Sequence, residues 1–188
     1  MKPHVCPWWL AYSFDNPLRR LFHKPERMLG PYVKPGMTVV DLGCGMGYFS
    51  IAMARLVGSG GVVISLDIQQ KMLDILGRRA QRAGVGDRIR LHLCDGNDLA
   101  VHETVDFALA FWMVHETPDD RSFYEQVFSL LTDYGSLLVA EPKMHVPGPQ
   151  FDKSISRAHS AGFTTSATPV VALSNAAVLT KGAFQPTT

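Results

Sequence analysis

The hydrophobic positions of this 188-residue chain alternate between short continuous runs and segments in which they recur every three to four residues. Compact apolar runs rich in β-branched residues predict buried strands, and apolar residues three and four apart predict helices that pack on a sheet. The predicted strands are 38–42, 62–66, 88–93, 105–112, 135–140, 163–168 and 176–180. The predicted core helices are 48–57, 70–83, 118–131 and 151–161. Strands that alternate with helices indicate parallel βαβ units with helices on both faces of the sheet.

The last two predicted strands break this alternation. Only residues 169–175 separate them, which is too short for a helical crossover, so we expect these strands to pair antiparallel. The predicted fold class is therefore α/β: a three-layer sandwich around a seven-stranded, mostly parallel sheet with the last strand antiparallel.

The N-terminal part of the chain lacks this regular pattern. Asn16 and Pro17 predict the start of one helix, and Pro25 predicts the start of a second. We expect a single domain over residues 1–188, with a helical and aromatic segment at 1–35 and the core at 36–188.

Composition and charge narrow the class of protein. Hydrophobic residues make up 46% of the chain, and 18 Lys and Arg against 17 Asp and Glu give a net charge of +1, so a dedicated nucleic-acid binder is not supported. The longest apolar runs fall short of the roughly 20 residues of a membrane span, and the first residues do not resemble a signal peptide. The three cysteines form no CxxC pair, so neither a disulfide framework nor a metal site is predicted. We expect a cytoplasmic protein.

A glycine-rich loop follows the first strand of the core and precedes its first helix. Gly43, Gly45 and Gly47 let the backbone turn sharply and come close to a ligand. The spacing is GxGxG rather than the GxGxxG of dinucleotide sites, where position 48 would be glycine instead of Tyr48. The acidic Asp41 before the loop disfavours a diphosphate and suits a ligand that carries ammonium and sulfonium groups.

Two further aspartates follow the second and third strands. Asp67 lies 20 residues after Gly47, where a carboxylate can accept from two neighbouring hydroxyl groups of a ribose. Asp95 and Gly96 follow the third strand. Because parallel strands end at the same edge of a sheet, we expect these side chains and the glycine loop to form one site.

These residues resemble the class I, Rossmann-like S-adenosylmethionine methyltransferases, and the resemblance runs from about Gly36 to the C-terminus. Within that class, the general pattern is similar to the small ubiquinone/menaquinone-biosynthesis-like group, methyltransferase types 11 and 25. The resemblance implies S-adenosylmethionine as cofactor and S-adenosylhomocysteine as product. It implies that Asp67 binds the ribose hydroxyls and that Asp95 lies at the adenine. The implied cofactor-binding positions are Asp41, Gly43, Cys44, Gly45, Gly47, Asp67, Ile68, Met72, Asp95, Gly96 and Phe111.

The end of the fourth strand, in such enzymes, lies beside the transferred methyl group. Relatives that methylate amino groups often carry an Asn-Pro-Pro-Tyr motif there, whereas this chain has 110–116 as AFWMVHE, which favours a small-molecule acceptor. His115 could act as a general base or could be a substrate-binding or structurally hydrogen-bonded histidine. His145 is a weaker candidate of the same kind, and Glu116 and Glu141 are interpreted as structural.

The aromatic residues near the N-terminus have two interpretations. They could cover the substrate, together with Trp112 and His145, or they could pack on the core or form a homodimer contact. These residues are Trp8, Trp9, Tyr12 and Phe14. Two other functions stay open at this point: a non-catalytic subunit that acts through a protein partner, and a nicotinamide-dependent oxidoreductase, against which Tyr48 counts.

Overall fold

The structure is a computed structural model that describes residues 23–181. The helix predicted to begin at Pro17 and the N-terminal aromatic residues lie outside this range. The helices are α1 (Pro25–Leu29), α2 (Tyr48–Val57), α3 (Gln70–Arg82), α4 (Asp120–Leu130) and α5 (Gly148–Ser160), with 3-10 turns at Gly86–Arg88 and Val114–Glu116. The strands are β1 (Thr38–Leu42), β2 (Val62–Asp67), β3 (Ile89–Leu93), β4 (Val105–Phe111), β5 (Leu131–Pro142), β6 (Phe163–Ala167) and β7 (Ser174–Lys181).

The seven strands form one sheet in the order β3-β2-β1-β4-β5-β7-β6. Strands β1 to β5 pair in parallel, and β7 lies antiparallel between β5 and β6. The predicted mostly parallel sheet with an antiparallel last strand is thus confirmed. The chain order reverses between β1 and β4, and such a switch point leaves a crevice at the carboxyl ends of the strands, where open α/β sheets bind ligands.

Each face of the sheet is covered by helices, which gives the three predicted layers. On one face, α4 and α5 pack over alternate residues of β1, β4 and β5, with Phe123, Tyr124 and Phe151 among the buried contacts. On the other face, α1, α2 and α3 pack over the intervening residues of the same strands. The central strands β1, β2 and β4 are consequently buried on both sides, which explains their largely continuous hydrophobic runs, whereas the edge strand β3 is partly exposed.

The fifth strand differs most from the sequence prediction. It begins at Leu131, directly after α4, whereas the pattern predicted a helix to residue 131 and a strand over 135–140. Leu131 pairs with Val105, and the register between β4 and β5 then shifts before Phe107 pairs with Ser136. The intervening polar and glycine residues match a turn signal, so the irregular pairing was not visible in the sequence.

Several other boundaries moved by a few residues. Helix α5 begins at Gly148 rather than 151, and β7 begins at Ser174 rather than 176. In the region from 23 to 181, no helix is both long and apolar enough to cross a membrane.

We predict that Gly47→Ala destabilises the fold more than Gly84→Ala. Both glycines have a positive φ, +86° and +68°, so each alanine costs about 1–2 kcal/mol of backbone strain. At Gly47 a Cβ would also overlap the side chain of Leu76 on α3, whereas at Gly84 nothing lies within 4 Å. Overpacking adds about 1–3 kcal/mol, and urea unfolding of both variants measures the difference. Equal losses would show that the contact with Leu76 has no energetic weight.

Candidate functional site

The candidate site is the crevice at the carboxyl ends of β1, β2 and β4. The glycine loop between β1 and α2 forms its floor and is held by two hydrogen bonds to β2. The amide of Cys44 donates to the carbonyl of Leu66 at 2.8 Å, and the amide of Gly45 donates to Oδ2 of Asp67 at 2.9 Å. These two hydrogen bonds fix the position of the loop relative to β2.

The three glycines of the loop have different surroundings. A Cβ on Gly43 would lie 2.9 Å from Cβ of Met113, and one on Gly47 would overlap Leu76, so both positions are tightly packed against protein. A Cβ on Gly45, which has φ +52°, would meet nothing within 4 Å. The middle of the loop is therefore the place where a ligand can approach the backbone.

Asp67 ends β2 with a carboxylate that is 7% exposed. Its Oδ1 accepts from the amide of Gln69 and its Oδ2 from the amide of Gly45, both at 2.9 Å. Burial raises the pKa of this carboxyl, and the amides of Gln69, Gly45 and Ile68 act against that rise. A carboxylate has about four acceptor sites, so these amides leave it capacity for at least one hydroxyl donor.

Asp95 lies after β3 and differs from Asp67 because it is exposed. Its Oδ1 accepts from the amides of Asn97 and Asp98 at 2.8 and 2.9 Å, and these hydrogen bonds lower the pKa of its carboxyl. Gly96, with φ +87°, lies close to Ile68, because a Cβ there would be 3.6 Å from Cγ2 of Ile68. The loops after β2 and β3 therefore meet at one edge of the crevice.

Asp41 and Cys44 are buried at the start of the loop. Oδ2 of Asp41 accepts from the hydroxyl of Ser50 on α2 at 2.5 Å, which ties the end of β1 to the helix after the loop. Burial raises the pKa of the Cys44 thiol well above its usual value, and the charges of Asp41 and Asp67 add to this. A protonated, buried thiol is a packing group and not a nucleophile.

Met72 and Phe111 are both buried in packing clusters. Met72 packs with Met46 and Ile75 between the loop and α3. The ring of Phe111 lies 4.4 Å from that of Phe49, measured between centroids, and belongs to the core beneath the crevice. Both side chains thus support the floor of the crevice.

Trp112 follows β4 with a φ of +60°, which is a strained conformation for a residue other than glycine. Its amide donates to the carbonyl of Ala140 at 2.7 Å, and its indole Nε1 donates to Oγ of Ser174 on β7 at 2.8 Å. The residue is therefore fixed across three strands, at the point where the chain turns into the 3-10 turn that carries His115.

His115 is paired with Glu141, a residue at the end of β5. Nδ1 of His115 lies 2.5 Å from Oε2 of Glu141, whose side chain is 2% exposed. Glu141 also accepts from the amides of Met113, Val114 and His115 at 3.1, 3.0 and 3.3 Å. A single buried carboxylate thus holds the whole 3-10 turn and orients the imidazole.

The pKa of His115 reflects this pairing. Partial burial would lower the pKa, but the hydrogen bond and the charge of Glu141, together with the charge of Glu116, outweigh it and raise the pKa above its usual value. Because Glu141 accepts at Nδ1, that nitrogen carries the proton in the neutral ring, and Nε2 is left as the basic atom. About a quarter of the His115 side chain is exposed.

Of the remaining residues predicted to contact or cover the substrate, the structure describes His145. His145 is exposed, and its ring stacks on that of His115 with the centroids 6.2 Å apart. The predicted covering residues lie outside the described range; they are Trp8, Trp9, Tyr12 and Phe14. Between residues 23 and 181, no three His, Cys, Asp or Glu side chains are arranged to hold a metal ion.

A cavity of about 310 Å³ opens beside His115, between the 3-10 turn and α5. Its polar lining includes His115, Glu141, Asp120, Gln150, Lys153 and Arg157. This cavity was not predicted from the sequence. The pattern that could have indicated it is a polar stripe on α5 at helical spacing, but such a stripe is ordinarily interpreted as a solvent-exposed face.

Comparison with known proteins places the chain among methyltransferases. The family model described as a methyltransferase domain matches residues 33–171. The chain is 30% identical over 133 residues to a demethylmenaquinone methyltransferase of Lactobacillus johnsonii, covering 70% of this chain and 52% of the relative. It is 29% identical over 140 residues to a ubiquinone biosynthesis O-methyltransferase of Xanthomonas campestris, covering 71% of this chain and 55% of the relative. The chain thus spans about half the length of the curated relatives it matches.

A solved structure shares the fold over nearly the whole chain. It is described as a SAM-dependent methyltransferase from Aquifex aeolicus, and it superposes with a TM-score of 0.82 at 21% identity, covering 93% of this chain and 98% of that one. The family match covers well over half of the sequence and includes the glycine loop, Asp67, Asp95 and His115. The chain belongs to the methyltransferase domain family.

Proposed function

We propose that this protein is an S-adenosylmethionine-dependent methyltransferase that acts on a small-molecule acceptor. The observation that carries the proposal is the open face of Gly45 next to the buried carboxylate of Asp67, at the ends of neighbouring strands. Membership of the methyltransferase domain family supports it. The two curated relatives described above, a demethylmenaquinone methyltransferase and a ubiquinone biosynthesis O-methyltransferase, support a small acceptor.

The residues of the crevice fit the adenosyl part of this cofactor. The carboxylate of Asp67 keeps acceptor capacity beyond its amide donors, which suits the hydroxyl groups of a ribose. Asp95 and Gly96, beside Ile68, would hold the adenine where the loops after β2 and β3 meet. Gly45 would let the backbone approach the methionine part, and the remaining implied positions, Gly43, Cys44, Gly47, Asp41, Met72 and Phe111, would shape the floor.

When bound, S-adenosylmethionine supplies an electrophilic methyl group on sulfur. The protein must therefore orient the acceptor, exclude water and, for a hydroxyl acceptor, remove a proton. Nε2 of His115 would accept that proton while Glu141 holds Nδ1 and stabilises the imidazolium. His145 and Trp112 would border the acceptor, and the N-terminal aromatic residues stay a predicted cover or homodimer contact.

A nicotinamide-dependent oxidoreductase is disfavoured at Tyr48. This residue stands where a dinucleotide loop requires its third glycine, and its hydroxyl donates to the carbonyl of His23 at 2.6 Å, so the side chain is fixed there. The free thiols of Cys44 and Cys94 support the cytoplasmic location that forms part of this proposal.

We predict that Asp67→Asn weakens the binding of S-adenosylhomocysteine by at least about tenfold, because hydrogen bonds to a charged acceptor each contribute about 1.5–3 kcal/mol. Isothermal calorimetry measures the effect, and Asp74→Asn on the exposed side of α3 serves as the matched control. The 2′-deoxy analogue separates ribose recognition from a general effect on the loop. The wild type should prefer S-adenosylhomocysteine over this analogue, and Asp67→Asn should lose that preference. Absence of S-adenosylhomocysteine binding at millimolar concentration would refute the proposed function.

We predict that His115 titrates above the usual value of 6.5 in an NMR pH titration, and that Glu116→Gln lowers its pKa because one favourable charge is removed. Since folding raises this pKa, the stability from the pair is complete below the unfolded pKa of histidine and is lost as the pH rises through the folded pKa. A general base must be neutral, so turnover of a hydroxyl acceptor should rise over that same upper range. A His115 pKa at or below the usual value of 6.5 would contradict the assignment.

A further inference from the structure

We propose that the cavity beside His115 binds a carboxylate of the methyl acceptor, so that the acceptor is a small organic acid. The proposal rests on the proposed function, because it places the acceptor next to the candidate base. The cavity is bounded by the 3-10 turn after β4, the end of β5 and one face of α5. Because β5 is parallel to β4 and β1, the cavity lies at the same end of the sheet as the crevice.

The two carboxylates of the cavity already have their partners. Glu141 accepts four N–H donors, two on each oxygen, which fills the acceptor capacity of a carboxylate. Both oxygens of Asp120 accept from Nη1 of Arg157, at 2.5 and 2.6 Å. Neither acidic group therefore needs a cation from a ligand.

Lys153 is the cation that remains. It lines the cavity from α5, and within residues 23–181 no carboxylate lies within salt-bridge distance of its ammonium group. Gln150, one turn earlier on the same helix, adds an amide donor to the same lining. A ligand carboxylate would complete the charge pairing that the protein leaves open at Lys153.

The N-terminus of α5 reinforces this preference. Helix α5 has 13 residues, its first turn holds no acidic residue, and no side chain caps it. The partial positive charge of a helix N-terminus therefore stays uncompensated near Gln150. His115, when protonated, adds a further positive charge from the opposite wall, and Glu141 partly neutralises that charge.

The size of the cavity limits the ligand. A volume of about 310 Å³ lies at the lower end of the range for small-molecule sites, so it suits a single ring or a short chain rather than a long apolar tail. A molecule with a carboxylate at Lys153 and a hydroxyl at Nε2 of His115 would have its nucleophile at the candidate base. Such an acceptor differs in polarity from a mature quinone with an isoprenoid chain.

The test compares an acid with its neutral isostere in the whole chain. NMR chemical shifts of the His115 ring report the binding of 4-hydroxybenzoate and of 4-hydroxybenzamide as probes, both without cofactor. Lys153 is exposed, so the pair stays partly solvated, and we expect the wild type to bind the acid about two- to fivefold more tightly than the amide. Lys153→Met should abolish that preference, and Lys153→Arg should retain it.

The matched control is Lys143→Met. Lys143 is an exposed lysine on the connection between β5 and α5, and it does not line the cavity. It should keep the preference of the wild type. Equal binding of the two probes to the wild type, binding of neither, or an equal loss in Lys143→Met would overturn the proposal. Calorimetry with S-adenosylhomocysteine on the same samples tests the proposed function separately. Lys153→Met should bind S-adenosylhomocysteine as the wild type does. If the wild type fails to bind S-adenosylhomocysteine, the methyltransferase proposal is refuted, whereas the preference for the acid probe is judged from the NMR data alone.

Discussion

A buried carboxylate at the end of one strand holds the loop that follows the neighbouring strand, and the sheet uses this arrangement on both sides of its switch point. Asp67, at the end of β2, accepts from the amide of Gly45 in the loop after β1. Glu141, at the end of β5, accepts from three amides of the turn after β4, including that of His115. A buried carboxylate without hydrogen-bond donors is energetically costly, and a loop without such contacts is mobile. The hydrogen bonds from the loop amides therefore stabilise the carboxylate and also fix the loop.

This arrangement explains how contacts within the protein shape the crevice. The glycine loop and the His115 turn are fixed to strands whose own positions are set by cores on both faces of the sheet. The strained backbone of Trp112 can persist because hydrogen bonds to Ala140 and Ser174 hold the residue on both sides. Orientation of a reactant requires such rigidity, which loops without strand anchors do not provide.

The sequence predicted the elements around the glycine loop well, because local signals determine them. The bounds of β1 and α2 agree with the expectation residue by residue, since the apolar run, the glycines and the helical spacing are all contiguous. The pairing of His115 with Glu141 could not be predicted, because it joins residues 26 apart through the register of two strands. The early start of β5 at Leu131 was missed for the same reason: its partner Val105 lies far along the chain. The exposure of Asp95 and its hydrogen bonds to the amides of Asn97 and Asp98 could not be predicted, because they depend on the loop conformation.

The antiparallel strand β7 runs from the end of the sheet that carries the crevice to the opposite end. The strand begins at Ser174, whose hydroxyl contacts Trp112 at the crevice, and it runs to Lys181, whose ammonium donates to the carbonyl of Leu131 where β5 starts. The described chain thus begins at His23, against Ala172 and the crevice, and ends at Lys181, at the opposite end of the strands. A surface tether or fluorophore attached near Lys181 would keep the crevice facing the solution, which makes that end the suitable one for immobilising the protein in ligand-binding measurements.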